Sequence, residues 1–397
     1  MISEEDYTVE EKEAIEKLRE KIPKDQEKDL YDDTYRLYLF LKDHNFNITE
    51  AENMLTKMLK WRQKVQINKI QEFKPPEVVE KYFEKNLIGF AKNGAPVHYL
   101  PLGKFDSKGI IMSTKHAELE KIYVRMLEKD IVLLRKLKKP PKESYPGGIY
   151  IYDMDQLTFA NATDKKAIEY MIKYFKVCQD FYPGMIDVMY VINISSYFMI
   201  PLSIAKSCLS ADFISLVQFH GTDGWREELL KIIDDDQLPA FLGGKRTDPD
   251  GNPLCKTIVV QGGKIDEKHY IHKSKSSLVN APGVEKITLA RASFSEIELE
   301  VNEDGSLIEW EFETKTRDIG FGLFYKEIVS GEEKITELVP LLRIDTEDYS
   351  ETGVYRCERA GTYVVLFDNS YSWLRSKEIY YRIKIVNSEK MEKETQN

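Results

Sequence analysis

Residues 296–301 read EIELEV, and in this stretch a charged residue and an apolar residue alternate without interruption. The same kind of alternation recurs in residues 308–313, IEWEFE, and in residues 379–385, IYYRIKI. A period of two places successive side chains on opposite faces of a strand, so each stretch predicts a β-strand with one buried face. Before about residue 275, apolar residues recur at helical spacing instead. The change of period predicts a mixed helix-and-sheet body followed by a separate all-β module.

Length and charge limit the class of protein. A chain of 397 residues is long enough for two or three domains, and 42% hydrophobic with 31% charged residues is typical of a globular protein. The formal net charge of −10 argues against broad nucleic-acid binding, which needs a basic face, so no nucleic-acid partner is expected. A local basic patch remains open, with Arg135, Lys136, Lys138 and Lys139 as candidates.

Cysteine usage and hydropathy indicate the compartment. The four cysteines form no C-x-x-C pair, which predicts neither a zinc site nor a disulfide framework. Residues 1–13 are acidic and lack the apolar stretch of a signal peptide, and no run of 18 apolar residues is present. These features predict a cytoplasmic protein.

The N-terminal region has the pattern of a small helical unit. Thr8 with Glu11, and Thr49 with Glu52, have the spacing of capping boxes that open helices. Behind the second pair, apolar residues follow one another at helical spacing from Ala51 to Leu59.

Strands and helices then alternate. This order predicts an α/β unit with a central, largely parallel sheet. The predicted strands are residues 97–100, 149–152, 188–192 and 216–220, and the predicted helices are residues 115–137, 163–180 and 200–209.

Glycine spacing points to no nucleotide site and no hydrolase. Residues 89–94 have P-loop glycine spacing, but Ala95 stands where the phosphate-binding lysine would be, so a turn is the favoured interpretation. No G-x-S-x-G motif occurs, so a hydrolase of that type has no nucleophile.

Three polar clusters could carry chemistry, and each has a simpler interpretation. Asp153 and Asp155 follow a strand end, where loop capping is several-fold more common than catalysis. His269 and His272 lack a second pair of metal ligands. Residues 248–252 resemble a calcium loop but depart from its spacing, which favours a turn. We therefore predict no catalytic residue, no metal site and no cofactor.

Several motifs, in order and at the right separations, resemble the CRAL-TRIO plus GOLD proteins, and most closely the supernatant protein factor and tocopherol-associated protein group. The motifs are residues 225–230 (WREELL), 238–244 (LPAFLGG), 247–253 (TDPDGNP), 318–324 (DIGFGLF) and 366–373 (LFDNSYSW). The resemblance extends from about residue 10 to residue 386.

This resemblance implies a fold class of α/β plus all-β. It implies a CRAL-TRIO N-terminal helical unit at residues 1–75, a CRAL-TRIO lipid-binding bowl at 76–245, a linker at 246–275, a GOLD β-sandwich of jelly-roll type at 276–387, and a charged tail at 388–397. Members of the family carry one hydrophobic molecule, such as a phospholipid, a tocopherol or squalene, between membranes.

The α/β unit is rich in large apolar and aromatic residues. From composition alone these form the core, and the alternative is that they enclose a cavity for a lipid. The candidate pocket residues are Tyr123, Met126, Ile151, Tyr174, Phe175, Val191, Phe198, Met199 and Leu202.

In the family a helix closes the pocket, and residues 199–209 match that helix. Pro201 falls in its first turn, where the missing N–H is harmless. The candidate gate residues are Ile200, Pro201, Leu202, Ile204, Ala205 and Leu209. We expect Met199, Ile200 and Leu202 to insert into a membrane interface.

One departure from the family bears on the ligand. Members that transfer phosphatidylinositol place a glutamate after a Tyr-Pro pair and a lysine before a later strand, but here these positions are Gly184 and Leu216. Their arginine-rich helical motif is also eroded, with Leu39, Lys42 and His44 in its place. The resemblance therefore implies a ligand less polar than phosphatidylinositol.

Two kinds of function remain open. The first is a carrier or sensor of one hydrophobic ligand, with a transient membrane surface as partner. The alternative is an interaction adaptor that acts through the GOLD domain, with a protein partner and secondary lipid binding. No nucleophile–base pair stands out in the sequence, so an enzyme is not expected.

Overall fold

The structure, a computed structural model, describes residues 7–137, 147–271, 278–329, 331–347 and 350–387. The chain divides into two compact units. One consists of Met1–Ile110 with Lys121–His269, and the other of Ile111–Glu120 with Tyr270–Asn397.

The α-helices lie before residue 233 in the described ranges. Their bounds are α1 Val9–Arg19, α2 Lys28–Tyr31, α3 Thr34–Asp43, α4 Ile48–Lys64, α5 Glu77–Tyr82, α6 Ser107–Ser113, α7 His116–Leu137, α8 Phe159–Ala162, α9 Lys165–Phe181, α10 Met199–Cys208, α11 Ala211–Ser215 and α12 Trp225–Ile232.

The first four helices pack around a small apolar core that includes Leu18, Phe40 and Leu55. The capping box at the start of α1 is confirmed, because Thr8 Oγ1 accepts from the Glu11 N–H while the Glu11 carboxylate accepts from the Thr8 N–H.

The second predicted capping box is wrong. The N-cap of α4 is Asn47, two residues before the predicted cap, and Asn47 Oδ1 accepts from the Glu50 N–H. Asn is as good an N-cap as Thr, and its side chain satisfies one of the free N–H groups of the first turn. Thr49 and Glu52 therefore lie inside the helix.

The first unit contains a five-stranded sheet in the order β1-β2-β3-β4-β5. Strands β2 to β5 are parallel and β1 pairs antiparallel to β2, which confirms a largely parallel sheet. The bounds are β1 Asn86–Phe90, β2 Pro96–Leu100, β3 Gly148–Asp153, β4 Ile186–Ile192 and β5 Val217–Phe219.

Strand β1 was not predicted, and the interpretation of residues 89–94 as a turn is correct only for the part after Phe90. The register shifts between Leu87 and Gly89, and such a bulge interrupts the alternation of buried and exposed side chains. The strand therefore has no clear period of two in the sequence.

Strand β3 has both faces buried. Tyr150 and Tyr152 belong to one apolar cluster, whereas Ile149 and Ile151 belong to another on the opposite face. The second cluster is closed by residues of α12 and of the following segment, including Trp225.

The second unit is a β-sandwich of two antiparallel four-stranded sheets, in the orders β10-β9-β12-β7 and β11-β8-β13-β6. The bounds are β6 Glu285–Leu289, β7 Phe294–Val301, β8 Leu307–Thr314, β9 Asp318–Val329, β10 Glu332–Asp345, β11 Glu351–Arg356, β12 Gly361–Asp368 and β13 Lys377–Val386.

The alternation in β8 follows the prediction. Ile308, Trp310 and Phe312 face the core of the sandwich, where Phe312 stacks on Phe321 at a centroid distance of 4.7 Å. Glu313 is an exception, since it is buried and its carboxylate accepts from the Leu278 N–H at 2.8 Å.

Exchanging Asn47 for Ala should destabilise the protein by about 1 kcal/mol, because the cap of α4 is lost. Thr49→Ala is the matched control and should change stability by less than about half of that amount. Urea unfolding followed by circular dichroism measures both. A larger loss of stability for T49A than for N47A would show that Thr49, as predicted from the sequence, is the cap.

Candidate ligand-binding site

A cavity lies in the first unit between the sheet and the helices on one of its faces. It contains about 510 Å³ of space free of protein atoms, part of it open to solvent. Strands β3, β4 and β5 form the floor, and α9, α10 and α11 form the walls. The lining residues are Leu102, Tyr152, Met154, Met171, Phe175, Met189, Val191, Phe198, Pro201, Leu202, Ala205, Leu209, Phe213, Ile214, Val217 and Phe219.

The chemistry of this lining is almost uniformly apolar. None of the lining side chains is charged, and the surface that they expose to the cavity is apolar. The hydroxyl of Tyr152 is buried beside Tyr174 and is not part of that surface. Burial also raises its pKa, so the group is a neutral phenol.

Helix α10 separates the cavity from solvent, and its two faces differ. Pro201, Leu202, Ala205 and Leu209 face inward. The opposite face presents the exposed apolar side chains Met199, Ile200 and Ile204 together with Ser203. The Ser203 hydroxyl donates to the Ile200 carbonyl of the same helix at 2.8 Å. Its hydrogen-bond donor is therefore satisfied within α10.

The cavity brings together several of the predicted residues. Phe175, Val191, Phe198 and Leu202 line it, as do the gate residues Pro201, Ala205 and Leu209. Leu202 thus faces the cavity in this conformation, whereas Met199 and Ile200 are on the outer face.

Other predicted pocket residues lie elsewhere. Tyr174 of α9 packs edge to face on Tyr123 of α7 at 5.9 Å, and neither residue lines the cavity. Met126 is buried without lining the cavity. Ile151 is on the opposite face of β3, because neighbouring residues of a strand point in opposite directions. Met199 is 59% exposed.

The other lining residues were not named from the sequence, although the alternation along β4 could have identified one of them. Met189 lies two residues before Val191 on the same face of β4, so the period of two would have found it. Tyr152 was missed because every residue of β3 is apolar up to Asp153, which leaves no alternation to set the phase.

A buried polar cluster lies beside Tyr152 on the same face of the sheet. Asp130 forms an ion pair with Lys85 and accepts from the Tyr150 hydroxyl at 2.8 Å. The His98 ring stacks on Tyr150 at 5.1 Å, and neither ring nitrogen has a hydrogen-bond partner among the described residues. Burial lowers the pKa of His98 to about 4, since the attraction of Asp130 only partly offsets the loss of solvation.

The Asp153 carboxylate, at the end of β3, holds the loop, as the simpler interpretation predicted for this residue. Asp153 accepts from the Tyr99 hydroxyl at 2.9 Å, from Asn193 at 2.8 Å and from the Asp155 N–H at 2.9 Å. Its oxygens are therefore occupied by structural hydrogen bonds.

The other polar motifs are also structural where the chain is described. Asp248 accepts from the Thr257 N–H at 3.2 Å and its carbonyl accepts from the Gly251 N–H, which confirms a turn. His269 packs edge to face on Tyr82, while His272 lies outside the described residues. No group of three metal-ligating side chains occurs in the described ranges.

The suggested basic patch is partly neutralised. Arg135 forms ion pairs with Asp33 at 2.7 Å and with Asp29 at 3.6 Å. Lys138 and Lys139 lie outside the described residues.

Comparison with known proteins identifies both units. The chain matches the CRAL/TRIO domain family over residues 80–244 and the Golgi-dynamics membrane-trafficking (GOLD) family over residues 326–386. The chain therefore carries a CRAL/TRIO domain and a GOLD domain, which supports the family indicated by the sequence motifs. The fold class predicted from the sequence, α/β followed by an all-β sandwich, is confirmed.

Three relatives are informative. Protein ctg-1 of Caenorhabditis elegans is 26% identical over 380 residues, covering 94% of this chain and 96% of that protein. Protein real-time of Aedes aegypti is 24% identical over 77% of this chain, and phosphatidylinositol/phosphatidylcholine transfer protein SFH12 of Arabidopsis thaliana is 28% identical over 64% of it. This chain spans about half the length of the mosquito and plant proteins.

Among the residues that the structure describes, none of the helices has both the length and the hydropathy needed to cross a membrane.

Replacing His98 with Phe should reduce the acid sensitivity of the fold. The pKa of His98 is about 4 in the folded state and about 6.5 when unfolded, so the unfolded state binds more protons between these values. Stability that is complete above pH 6.5 is therefore lost as the pH falls toward 4, by up to about 3 kcal/mol.

Urea unfolding of both proteins at pH 7 and pH 4.5 measures this difference. H98F loses no hydrogen bond and retains the stacking on Tyr150, so it should match the wild type at pH 7 and exceed it at pH 4.5. Equal losses of stability in the two proteins on acidification would contradict the assignment.

Proposed function

We propose that this protein is a lipid-binding carrier that holds one hydrophobic molecule in the cavity beneath α10 and exchanges it at membranes by movement of that helix. The observation that carries the proposal is the apolar lining of the cavity, whose residues expose no polar side-chain surface to it. This lining suits a lipid-like ligand. The CRAL/TRIO match over residues 80–244, and the transfer of phospholipids named for the plant relative, support a lipid as cargo.

The ligand class follows from what the walls can and cannot satisfy. Burying an ionised headgroup without partners costs several kcal/mol, and no lining residue is charged. We infer a neutral, largely apolar ligand, a class that includes tocopherol-like and squalene-like molecules.

The region around Gly184 supports a ligand other than phosphatidylinositol. Gly184 has a φ of +69°, which disfavours any side chain, and a Cβ atom there would lie 2.8 Å from Leu39 Cδ1. The structure thus brings together two of the positions at which the family's headgroup-binding charges are missing. A glutamate at residue 184 would meet both backbone strain and an apolar neighbour.

Selectivity among apolar ligands has to come mainly from the shape of the cavity. Removing an apolar ligand from water yields about 0.8 kcal/mol per CH₂, but the gain relative to a bilayer is near zero because the ligand was already out of water. A carrier therefore exchanges its ligand readily only where a membrane covers the apolar surfaces that opening exposes. The outer face of α10, with Met199, Ile200 and Ile204, is suited to that contact.

The first test is mass spectrometry of the organic extract of protein purified from eukaryotic cells without detergent. We expect one hydrophobic species at stoichiometric amount. Ala205→Trp should lower that amount several-fold by filling the cavity, whereas Ser203→Trp, on the outer face of the same helix, should not. An empty extract would favour the adaptor function, and phosphatidylinositol as the species would contradict the argument from Gly184.

The second test concerns the outer face of α10. M199D/I204D should slow ligand transfer between vesicles on the order of tenfold or more, because two apolar contacts with the membrane are replaced by charges. The control S203D/S207D adds the same charge to exposed polar positions of this helix and should have a much smaller effect. Equal slowing by both double variants would show that charge alone, rather than apolar contact, controls transfer.

A further inference from the structure

Two large apolar side chains project from the β-sandwich. Trp373 is 83% exposed and Leu374 is 88% exposed, and they are neighbours in the segment between β12 and β13. We call residues 369–376 the tip loop. Exposed apolar residues scattered singly are ordinary, but an adjacent Trp and Leu displayed together indicate an interaction site.

Hydrogen bonds fix the tip loop in place. Asn369 is fully buried, and its amide donates to the Ala290 carbonyl at 2.8 Å and to the Arg375 carbonyl at 3.1 Å. The Ala292 N–H donates to the Ser372 carbonyl at 3.0 Å. The loop before β7 and the tip loop are thus tied together, and Trp373 and Leu374 are held outward by a defined backbone.

The backbone beside the loop is strained. Ala292 has a φ of +53°. This left-handed conformation is unfavourable in free energy for a residue that carries a side chain. Phe294, which follows it, is also largely exposed. Three apolar side chains are therefore displayed at one end of the sandwich.

Exposed arginines lie at the same end of the sandwich as these side chains. Arg291, Arg317 and Arg375 belong to loops where β6, β8 and β12 finish, whereas Lys315 is paired with Glu378 at 3.5 Å. Asp318 is engaged by Arg343 and Lys377. Glu347, in the loop between β10 and β11, is an exposed acid at this end, and the three exposed arginines outnumber it.

We propose that the tip loop inserts Trp373 and Leu374 into the interface of a lipid bilayer that contains anionic lipids. An aromatic and an aliphatic side chain flanked by arginines suit the boundary between headgroups and acyl chains. The glutamates of β7, Glu296, Glu298 and Glu300, would be repelled by an anionic surface, which leaves the end of the sandwich as the approach. This proposal concerns the second unit and does not depend on the cavity or its ligand.

The experiment is flotation of the full chain with vesicles of phosphatidylcholine containing 20–30% phosphatidylserine, roughly the range at which surface potential matters. W373S/L374S should reduce partitioning at least tenfold. The matched control I328S/I335S removes two exposed isoleucines from strands β9 and β10 and should change partitioning less than twofold. Thermal melting checks that both variants stay folded.

The fluorescence of Trp373 gives a local readout. Trp225 and Trp310 are buried and Trp61 is half-buried, so Trp373 is the tryptophan whose environment should change most on vesicle binding. We expect a blue shift of the emission and protection from iodide. Trp373→Phe should still bind vesicles but should lose the shift.

Two further variants separate this site from α10 and from a purely apolar effect. R291Q and R375Q should each weaken binding to anionic vesicles about fivefold and leave binding to neutral vesicles unchanged. The W373S/L374S effect should persist when M199D/I204D is also present. Partitioning that W373S/L374S leaves unaltered would overturn the proposal, as would loss of self-association by this variant without loss of vesicle binding.

Discussion

The complete burial of strand β3 is the constraint on which the first unit depends. Each residue from Gly148 to Asp153 is buried, so the strand must be covered on both faces. On one face Ile149 and Ile151 are covered by a filled apolar cluster that includes Trp225 and Leu229. On the other face the cover is a ring of helices, and the cavity beneath α10 lies there. The sheet thus has one face for stability and one for a ligand.

The second face is itself divided between polar and apolar groups. Around Tyr150, the buried Asp130 carboxylate forms an ion pair with Lys85 and accepts a hydrogen bond from the Tyr150 hydroxyl. A buried polar cluster of this kind is stable only while each member keeps its partners. Two residues further along, Tyr152 faces an apolar space. The Asp130 carboxylate is thus engaged within its cluster, and no charged side chain lines the cavity. The charged groups of this face are thereby separated from the apolar surface that a ligand would contact.

The sequence predicted the parts of the fold whose patterns are uninterrupted. The alternation in residues 308–313 located β8 and its buried face, and Thr8 with Glu11 located the start of α1. The bulge in β1 concealed that strand, and Asn47 competed successfully with Thr49 because both residue types cap helices. The candidate site was predicted in part. Residues of α10 followed from the family resemblance, but the inward phase of β3 could not be read from a run of apolar residues.

The N-terminal helices are joined to the α/β body by buried charges rather than by apolar contact alone. Arg62 donates to Glu27 at 2.6 Å and to Asp29 at 2.9 Å, and lies 3.7 Å from Glu128, which accepts from the Tyr182 hydroxyl at 2.6 Å. The carboxylates hold the pKa of Arg62 above its ordinary value despite its burial. Removing one partner of such a network leaves another charge buried and unpaired, so its geometry is more narrowly defined than that of an apolar contact. The α10 side of the cavity has no comparable network among its lining residues, since its inward contacts are apolar and non-directional. The N-terminal helices are therefore fixed to the α/β body by directional interactions, while the inward face of the helix that closes the cavity is held by contacts that a bilayer could replace.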